Sequence, residues 1–531
     1  MKKSAVLENK MQRGKDENYV IDITSLSKLP LPDGANSIGG RGGGETGGAV
    51  VESKEDLACE QRISETDVIS DRLSTDAFDC IRGMGSLQVF FGHFYNFFSK
   101  PTDSIPQEYG GGCAVLMFFV MSGFLMMTGY ANKYPFKQLE AKSFYKARIV
   151  RMVPMVYLSI IICIPLTVIR NNFYQTLPSD YEYLHPAEKV VASESFGDII
   201  TRYVLSLLFQ ESWVPEGGRR GSVNPPLWST ASQMFCYFFF PYCVGPFHTV
   251  RNKFRVRGDI MMNYVIYLIL WLALFSIAGF NYSIPHINPI GKLPLFIMGC
   301  VFASDALCNQ RVVKNQEYIQ KWSLYCNVLT VFISCYFFMQ VMVSTTSSGL
   351  FITRLFGELA LPSLYGLWLY SFTQAGDSFA YRLFCWKPFV FFGKISFCFY
   401  VLHWPVMDYY NYFRNGTDYL KCARYTFNIF CPNLVETWEV WPIFLIVVLL
   451  ATVCHYFVED PLRDYLTLKW IGKRRVDHFK NDLQMSSFLY KNKANHEHSY
   501  QVVPVNTTSA GVLAGETTQP DTPLDNGIVA G

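Results

Sequence analysis

Apolar runs long enough to cross a bilayer recur through the middle of this 531-residue chain, and they leave few folds open. A helix rises ~1.5 Å per residue, so a run of about twenty apolar residues covers a ~30 Å hydrocarbon layer. Ten such runs lie at 81–98, 113–131, 150–169, 226–246, 261–279, 290–305, 322–343, 350–373, 389–411 and 438–458, the fourth and sixth interrupted by Pro and polar residues. The sequence therefore predicts an all-α polytopic membrane protein with about ten transmembrane helices. Composition agrees: half the residues are hydrophobic, 17% are charged, and mean hydropathy is +0.15. The formal net charge of +3 gives no reason to expect a nucleic-acid partner.

The two ends read differently. Residues 1–77 are polar, carry "GANSIGGRGGGETGG" and have no signal-peptide apolar core, so they are expected as a disordered cytosolic region; residues 467–531 read as a disordered cytosolic tail. Residues 78–466 form the membrane domain. With the N-terminus inside, "KYPFKQLEAKSFYKARIVR", "HTVRNKFRVRGD" and "CNQRVVKNQEYIQK" fall on the cytosolic side, as the positive-inside rule requires. The outside connections include the sequon at Asn415, in a polar loop with Cys422 and Cys431, which could form a disulfide there. These features fit an endomembrane (ER or Golgi) or plasma-membrane protein. Most other cysteines sit in apolar runs as small buried residues, and no CxxC pair suggests a metal.

Two ionisable residues stand out in "FDCIRGMGSLQVFFGHFYNFF". Arg82 and His93 are eleven residues apart, so they share a helix face and stand ~16 Å apart along its axis. An intramembrane histidine is costly and faces protein or a wet cavity. Arg82 could simply snorkel to headgroups, with His93 bonded to a neighbouring helix. Arg148 and Arg151, three apart in "FYKARIVRMVP", share a second face at the cytosolic start of the third span. Their forked guanidinium donors suit phosphate oxygens, or anchor the helix at the membrane surface.

The order of the motifs resembles the acyltransferase 3 family of polytopic membrane O-acyltransferases. "RGMGSLQVFFGH" is followed by "GGGCAVLMFFVMSGFLMM", then "FYKARIVRMVP", "NPPLWSTASQMFCYFFFP", "FGKISFCFYVLHWPV" and "HYFVEDP", all between about 78 and 466. The resemblance implies transfer of an acyl group, most often acetyl, from acyl-CoA on the cytosolic side to a hydroxyl, typically of a carbohydrate or glycolipid. Acyl-CoA is then a donor substrate, with no permanently bound cofactor and no metal. On this reading His93 is the catalytic base with Arg82 as its catalytic partner, and Arg148 and Arg151 hold the coenzyme A phosphates. A ring with a reference pKa near ~6.5 suits proton exchange at neutral pH. Trp228, Gln233 and His403 are expected at the acceptor, His403 alternatively as a structural hydrogen bond between helices.

One position departs from the pattern. The Leu-Trp-Ser segment of the family usually continues to a Glu, and here Gln233 stands in its place, a residue that cannot take a proton. Glu211 is a candidate substitute or a solvated loop residue. Ser122 reads as a close-packing position, His455 as structural, and Glu459 as an anchor of the last span. Gln233 keeps alive a catalytically altered relative that acts as a regulator or binding protein. A transporter is a third reading, weakened by the lack of an internal repeat.

Overall fold

The computed structural model describes residues 76–99, 111–131, 138–176, 195–214, 223–248, 252–277, 286–310, 316–343, 357–375, 378–420, 423–425, 428–430 and 435–472. The terminal regions and the 422–431 cysteine pair expected from the sequence lie outside them. Among the described residues, helix occurs in each of the ten stretches expected to span, though the structure supports six of them as long and apolar enough to cross. The helices are α1 (Asp76–Phe97), α2 (Gly111–Tyr130), α3 (Gln138–Gln175), α4 (Phe196–Leu207), α5 (Leu227–His248), α6 (Lys253–Ile277), α7 (Pro289–Gln310), α8 (Gln316–Val343), α9 (Leu361–Gln374), α10 (Phe379–Phe384), α11 (Lys387–Asn415), α12 (Val440–Cys454) and α13 (Asp460–Ile471). Among the described residues, six stretches are long and apolar enough to cross a membrane: Gly112–Tyr130, Glu140–Phe173, Lys253–Ile277, Pro289–Asn309, Lys387–Asn415 and Thr437–Ile471. The chain is an integral membrane protein of helices. Its described strands are one small antiparallel pair, β1 (Ala423–Tyr425) and β2 (Asn428–Phe430), with Arg424 opposite Ile429.

Burial separates central from peripheral helices. In α2 and α7, 72% of the apolar window is buried against protein, against 17% in α6. The peripheral helices present aliphatic side chains outward, among them Ile161, Ile164 and Val168 of α3, Ile269 and Leu272 of α6, and Leu445 and Leu449 of α12. Such surface is stable only against lipid or another apolar partner. Polar side chains are held inside instead, as an apolar solvent demands.

Two backbone contacts set the geometry of the bundle. Gly123 of α2 and Gly299 of α7 let their helices meet backbone to backbone, since a Cβ at Gly123 would strike the Phe296 carbonyl and one at Gly299 the Val120 carbonyl. Gly393 of α11 lies against the backbone of Asp79 on α1. Further along, Ser86 Oγ donates to the Ser396 carbonyl at 3.4 Å and His93 meets His403, so α1 and α11 run parallel. α2 runs the other way along α1, Phe78 meeting Phe124 and Gly85 facing Met117 and Phe118. The end of the bundle at which α1 starts is the near end; the opposite end is the far end.

A side chain at Gly299 would force apart the two central helices. Gly299→Leu is expected to destabilise the protein by at least the about 1–3 kcal/mol of an overpacked core. Gly129, with open space around its Cβ position, should accept leucine with little change. Thermal unfolding of both variants in detergent checks this contrast.

Candidate active site

The near end gathers the three arginines singled out in the sequence. Arg82 pairs with Asp79 one turn earlier on α1. Arg148 donates to Tyr130 Oη at 3.1 Å and lies over the rings of Tyr130, Phe144 and Tyr237 at 5.6–5.7 Å. Arg151 is within electrostatic range of Arg82, Arg148 and Glu459. Among the described residues, Arg148 and Arg151 have no carboxylate at ion-pair distance. Three guanidiniums therefore converge from two helices with one nearby carboxylate pair partner, Asp79, and one longer-range one, Glu459. Such an excess of converging positive charge suits an anion with several oxygens.

Glu459 is buried rather than displayed at the surface. It belongs to a π-helical turn, His455–Glu459, that links α12 to α13. Within that turn His455 Nδ1 and Glu459 Oε2 are 2.7 Å apart, and Cys398 Sγ of α11 donates to the same oxygen at 3.2 Å. These ligand-type atoms lie within 4.8 Å of one another, and their hydrogen bonds satisfy each other. The wide turn lets residues four apart both face α11, a use that π-bulges often serve.

Some 16 Å along α1 from Arg82, in the far half of the bundle, His93 meets His403. Their rings stack at 5.1 Å between centroids, and His93 Nδ1 lies 2.8 Å from His403 Nε2. His403 is fully buried, and its Nδ1 lies 2.5 Å from the backbone carbonyl of Tyr400. A carbonyl only accepts, so His403 Nδ1 carries the proton. For two neutral rings Nε2 of His403 is then an acceptor, and His93 Nδ1–H donates to it. The hydrogen-bond chain thus leaves His93 Nε2 with its lone pair directed away from His403. Trp404 and Phe97 wall the His93 ring at 5.2 and 5.9 Å.

The helix holding His403 is shaped by Pro405. A proline has no N–H and deprives the carbonyl four residues earlier of its helical donor, here Val401. Asn224 Nδ2 donates to that carbonyl at 2.8 Å and to Ser159 Oγ of α3 at 3.2 Å. The following residues are locked to the same helix: Tyr400 Oη donates to the Pro226 carbonyl at 3.0 Å and lies 2.7 Å from Ser229 Oγ. The segment "NPPLWS" is therefore clamped to the turn that presents His403. Asn224 was not among the expected site residues, although a buried amide opposite an intrahelical proline is a signal the sequence contains.

The remaining expected residues fall at different heights. Trp228 is buried at the far end, beside the Ser229–Tyr400 contact. Gln233 instead donates to Ser122 Oγ at 2.8 Å, and Ser122 lies 2.8 Å from Tyr237 Oη, whose ring underlies Arg148. The pairing of α1 with α2 puts Ser122 level with Arg82. Gln233 is thus grouped with the arginines, apart from Trp228 and His403. Ser122, read from the sequence as a close-packing residue, is a link in a polar chain. Glu211 is buried and accepts a 2.7 Å hydrogen bond from Ser206 Oγ, so it is no solvated loop residue. Asn415 ends α11 at the far end, its amide donating to Asn411 Oδ1 at 3.3 Å.

A family model described as an acyltransferase domain matches residues 75–458. The chain belongs to the acyltransferase 3 family. Among curated proteins it is similar to the O-acetyltransferase OatA of Staphylococcus aureus, 21% identical over 421 residues that cover 77% of this chain and 59% of the relative. It is also similar to the peptidoglycan O-acetyltransferase OatA of Listeria monocytogenes, 22% identical over 394 residues, 72% of this chain and 55% of the relative. The chain spans less than two thirds of the length of these relatives. No solved structure matches it.

Removing the Asn224 amide would leave the Val401 carbonyl buried without a donor. Asn224→Ala is expected to cost about 1–3 kcal/mol, the penalty for an unmet buried acceptor. Thermal unfolding of the purified variant against wild type measures it.

Proposed function

We propose that this chain is a membrane O-acyltransferase that moves an acyl group from acyl-CoA, bound at the near end, to a hydroxyl presented from the far end. The observation that carries this reading is the hydrogen-bond chain from the Tyr400 carbonyl through His403 to His93. It fixes one tautomer and leaves an acceptor lone pair on an intramembrane ring. In the transfer, His93 Nε2 takes the hydroxyl proton as the oxygen attacks the thioester carbonyl. The carbon–sulfur bond then breaks, and the proton passes from His93 to the departing coenzyme A thiolate. A general base of this kind contributes about 10²–10⁴-fold.

The arginine cluster supports the donor assignment. Arg148 and Arg151, with Arg82 beside them, offer forked donors for the coenzyme A phosphates, and the ~16 Å between Arg82 and His93 is a distance that the extended pantetheine arm can bridge. Gln233, Ser122 and Tyr237 line up with the arginines and so belong to the donor side of the path. The names of the relatives support acetyl as the group transferred and a carbohydrate hydroxyl as acceptor. The basic connecting segments at the near end support a cytosolic near end, in an endomembrane or plasma membrane. Gln233 favours a second reading, a catalytically altered relative that binds acyl-CoA without turning it over.

Purified full-length protein in detergent separates these readings. Labelled acetyl-CoA should bind to wild type, and binding should be lost in the double variant Arg148→Ala/Arg151→Ala. His93→Ala should keep binding and lose transfer by about 10²–10⁴-fold, whereas retained turnover would remove His93 from the chemistry. Binding without transfer in wild type would mark the binding protein.

A further inference from the structure

A mixed set of ligand-type side chains meets where α11 packs on the junction of α12 and α13, apart from the histidine pair. Cys398 of α11 is fully buried, and Glu459 and His455 of the π-helical turn are 3% and 8% exposed. One sulfur, one imidazole nitrogen and one carboxylate oxygen lie within 4.8 Å of one another. A buried thiol usually behaves as a small apolar residue. This one lies 3.2 Å from a carboxylate oxygen that already has a histidine nitrogen at 2.7 Å. A carboxylate at this depth needs donors, and a hydroxyl would serve it better than a thiol, which is a weak donor. What the cysteine adds is a thiolate's affinity for a soft cation.

The other side of the imidazole fits the same chemistry. His455 Nδ1 faces Glu459, while Nε2 lies 3.7 Å from Asp460 Oδ2. A carboxylate beside the second ring nitrogen keeps the proton there and leaves Nδ1 as the ligating atom, the usual arrangement at metal-bound histidines. Geometry also admits an ion. Tetrahedral bonds of ~2.0–2.3 Å hold neighbouring donor atoms ~3.3–3.7 Å apart, so Nδ1 and Oε2 need to separate by no more than ~1 Å. His455 keeps 10% of its side-chain surface accessible, which gives the ion a way in. Thiolate, carboxylate and a divalent ion sum to zero. The loaded site therefore adds no charge beside Arg151, which is within electrostatic range of Glu459.

We propose that Cys398, His455 and Glu459 form a binding site for one divalent ion of the zinc class. Thiolate with imidazole selects against magnesium and calcium, which take oxygen ligands. Binding releases the thiol proton to water; the imidazole enters neutral with its proton on Nε2 toward Asp460, and a water completes the tetrahedron. The ion ties α11, which carries His403, to the turn that leads into α13. Asp460 acts as a positioning residue. This departs from the expectation of no metal that the family resemblance implies, and it stands independently of the acyltransferase reading.

The test uses full-length protein in detergent, purified without a metal-binding tag, equilibrated with zinc and freed of the excess by gel filtration. Elemental analysis should find about one zinc per chain, and Cys398→Ser and His455→Gln should each lower that content about tenfold or more. Asp460→Asn should weaken zinc affinity by about 10–100-fold. A ligand variant can also lose metal by unfolding, so wild type is loaded with cobalt(II) as well. Folded wild type should then show a sulfur-to-cobalt charge-transfer band in the near ultraviolet and the intense visible bands of a tetrahedral ion. Zinc should also raise the Tm of wild type. Wild type that holds no zinc overturns the proposal, as does bound cobalt without a thiolate band, or zinc retained in full by Cys398→Ser.

Discussion

The close approach of α1 and α11 is the contact on which the rest of the site depends. Gly393 brings α11 against the backbone of Asp79, and because the two helices then run parallel, every later pairing is fixed in register: Ser86 with Ser396, His93 with His403. A larger residue at 393 would move the helices apart near Arg82 and, through a rigid helix, also at His93. One glycine thereby sets the position of a hydrogen bond about three turns away. That coupling is stronger in a membrane domain than in water, because helices there associate through packing and hydrogen bonds with little hydrophobic drive.

Several polar groups in the apolar interior are matched to a local defect or a local partner. Pro405 opens the α11 ladder at Val401, and Asn224 closes it. The π-turn at His455–Glu459 widens the chain where Glu459 must face both Cys398 and the Arg151 side. Gln233 has an amide to donate to Ser122, which an ionised carboxylate could not do. The same position in a glutamate-bearing relative would have to bond differently or carry a proton. Its neighbourhood is shared with Tyr237 and Arg148 and lies apart from the His93–His403 pair.

The helices, and the ionisable residues placed within them, were legible in the sequence because both rest on local rules. Run length reports spans, and an arginine or histidine in an apolar run reports cost. What the sequence could not supply was height and partner. His93 and His403 are 310 residues apart, and no periodicity links them. Gln233 follows Trp228 by five residues, yet its side chain joins Ser122 on another helix, level with Arg82. Glu358 and Lys292 were overlooked because each stands in a run read simply as a span, where a single charge resembles noise. Their meaning appears only when Tyr267, His286 and Lys292 converge on one carboxylate.

The arrangement of charge along the bundle also constrains how the two substrates can meet. Among the described residues, Arg82, Arg148 and Arg151 gather at the near end with Asp79 as their carboxylate at ion-pair distance and Glu459 within electrostatic range, whereas Lys292 and Glu358 pair with one another. An anion is favoured at the first and gains nothing at the second. Around them lie neutral groups, Ser122, Gln233 and Tyr237 at the height of the arginines and the stacked histidines in the far half, where a charged group would lose its solvation. On the proposed acyltransferase reading, a neutral thioester arm would reach inward along such groups while the charged coenzyme A head stayed at the arginines.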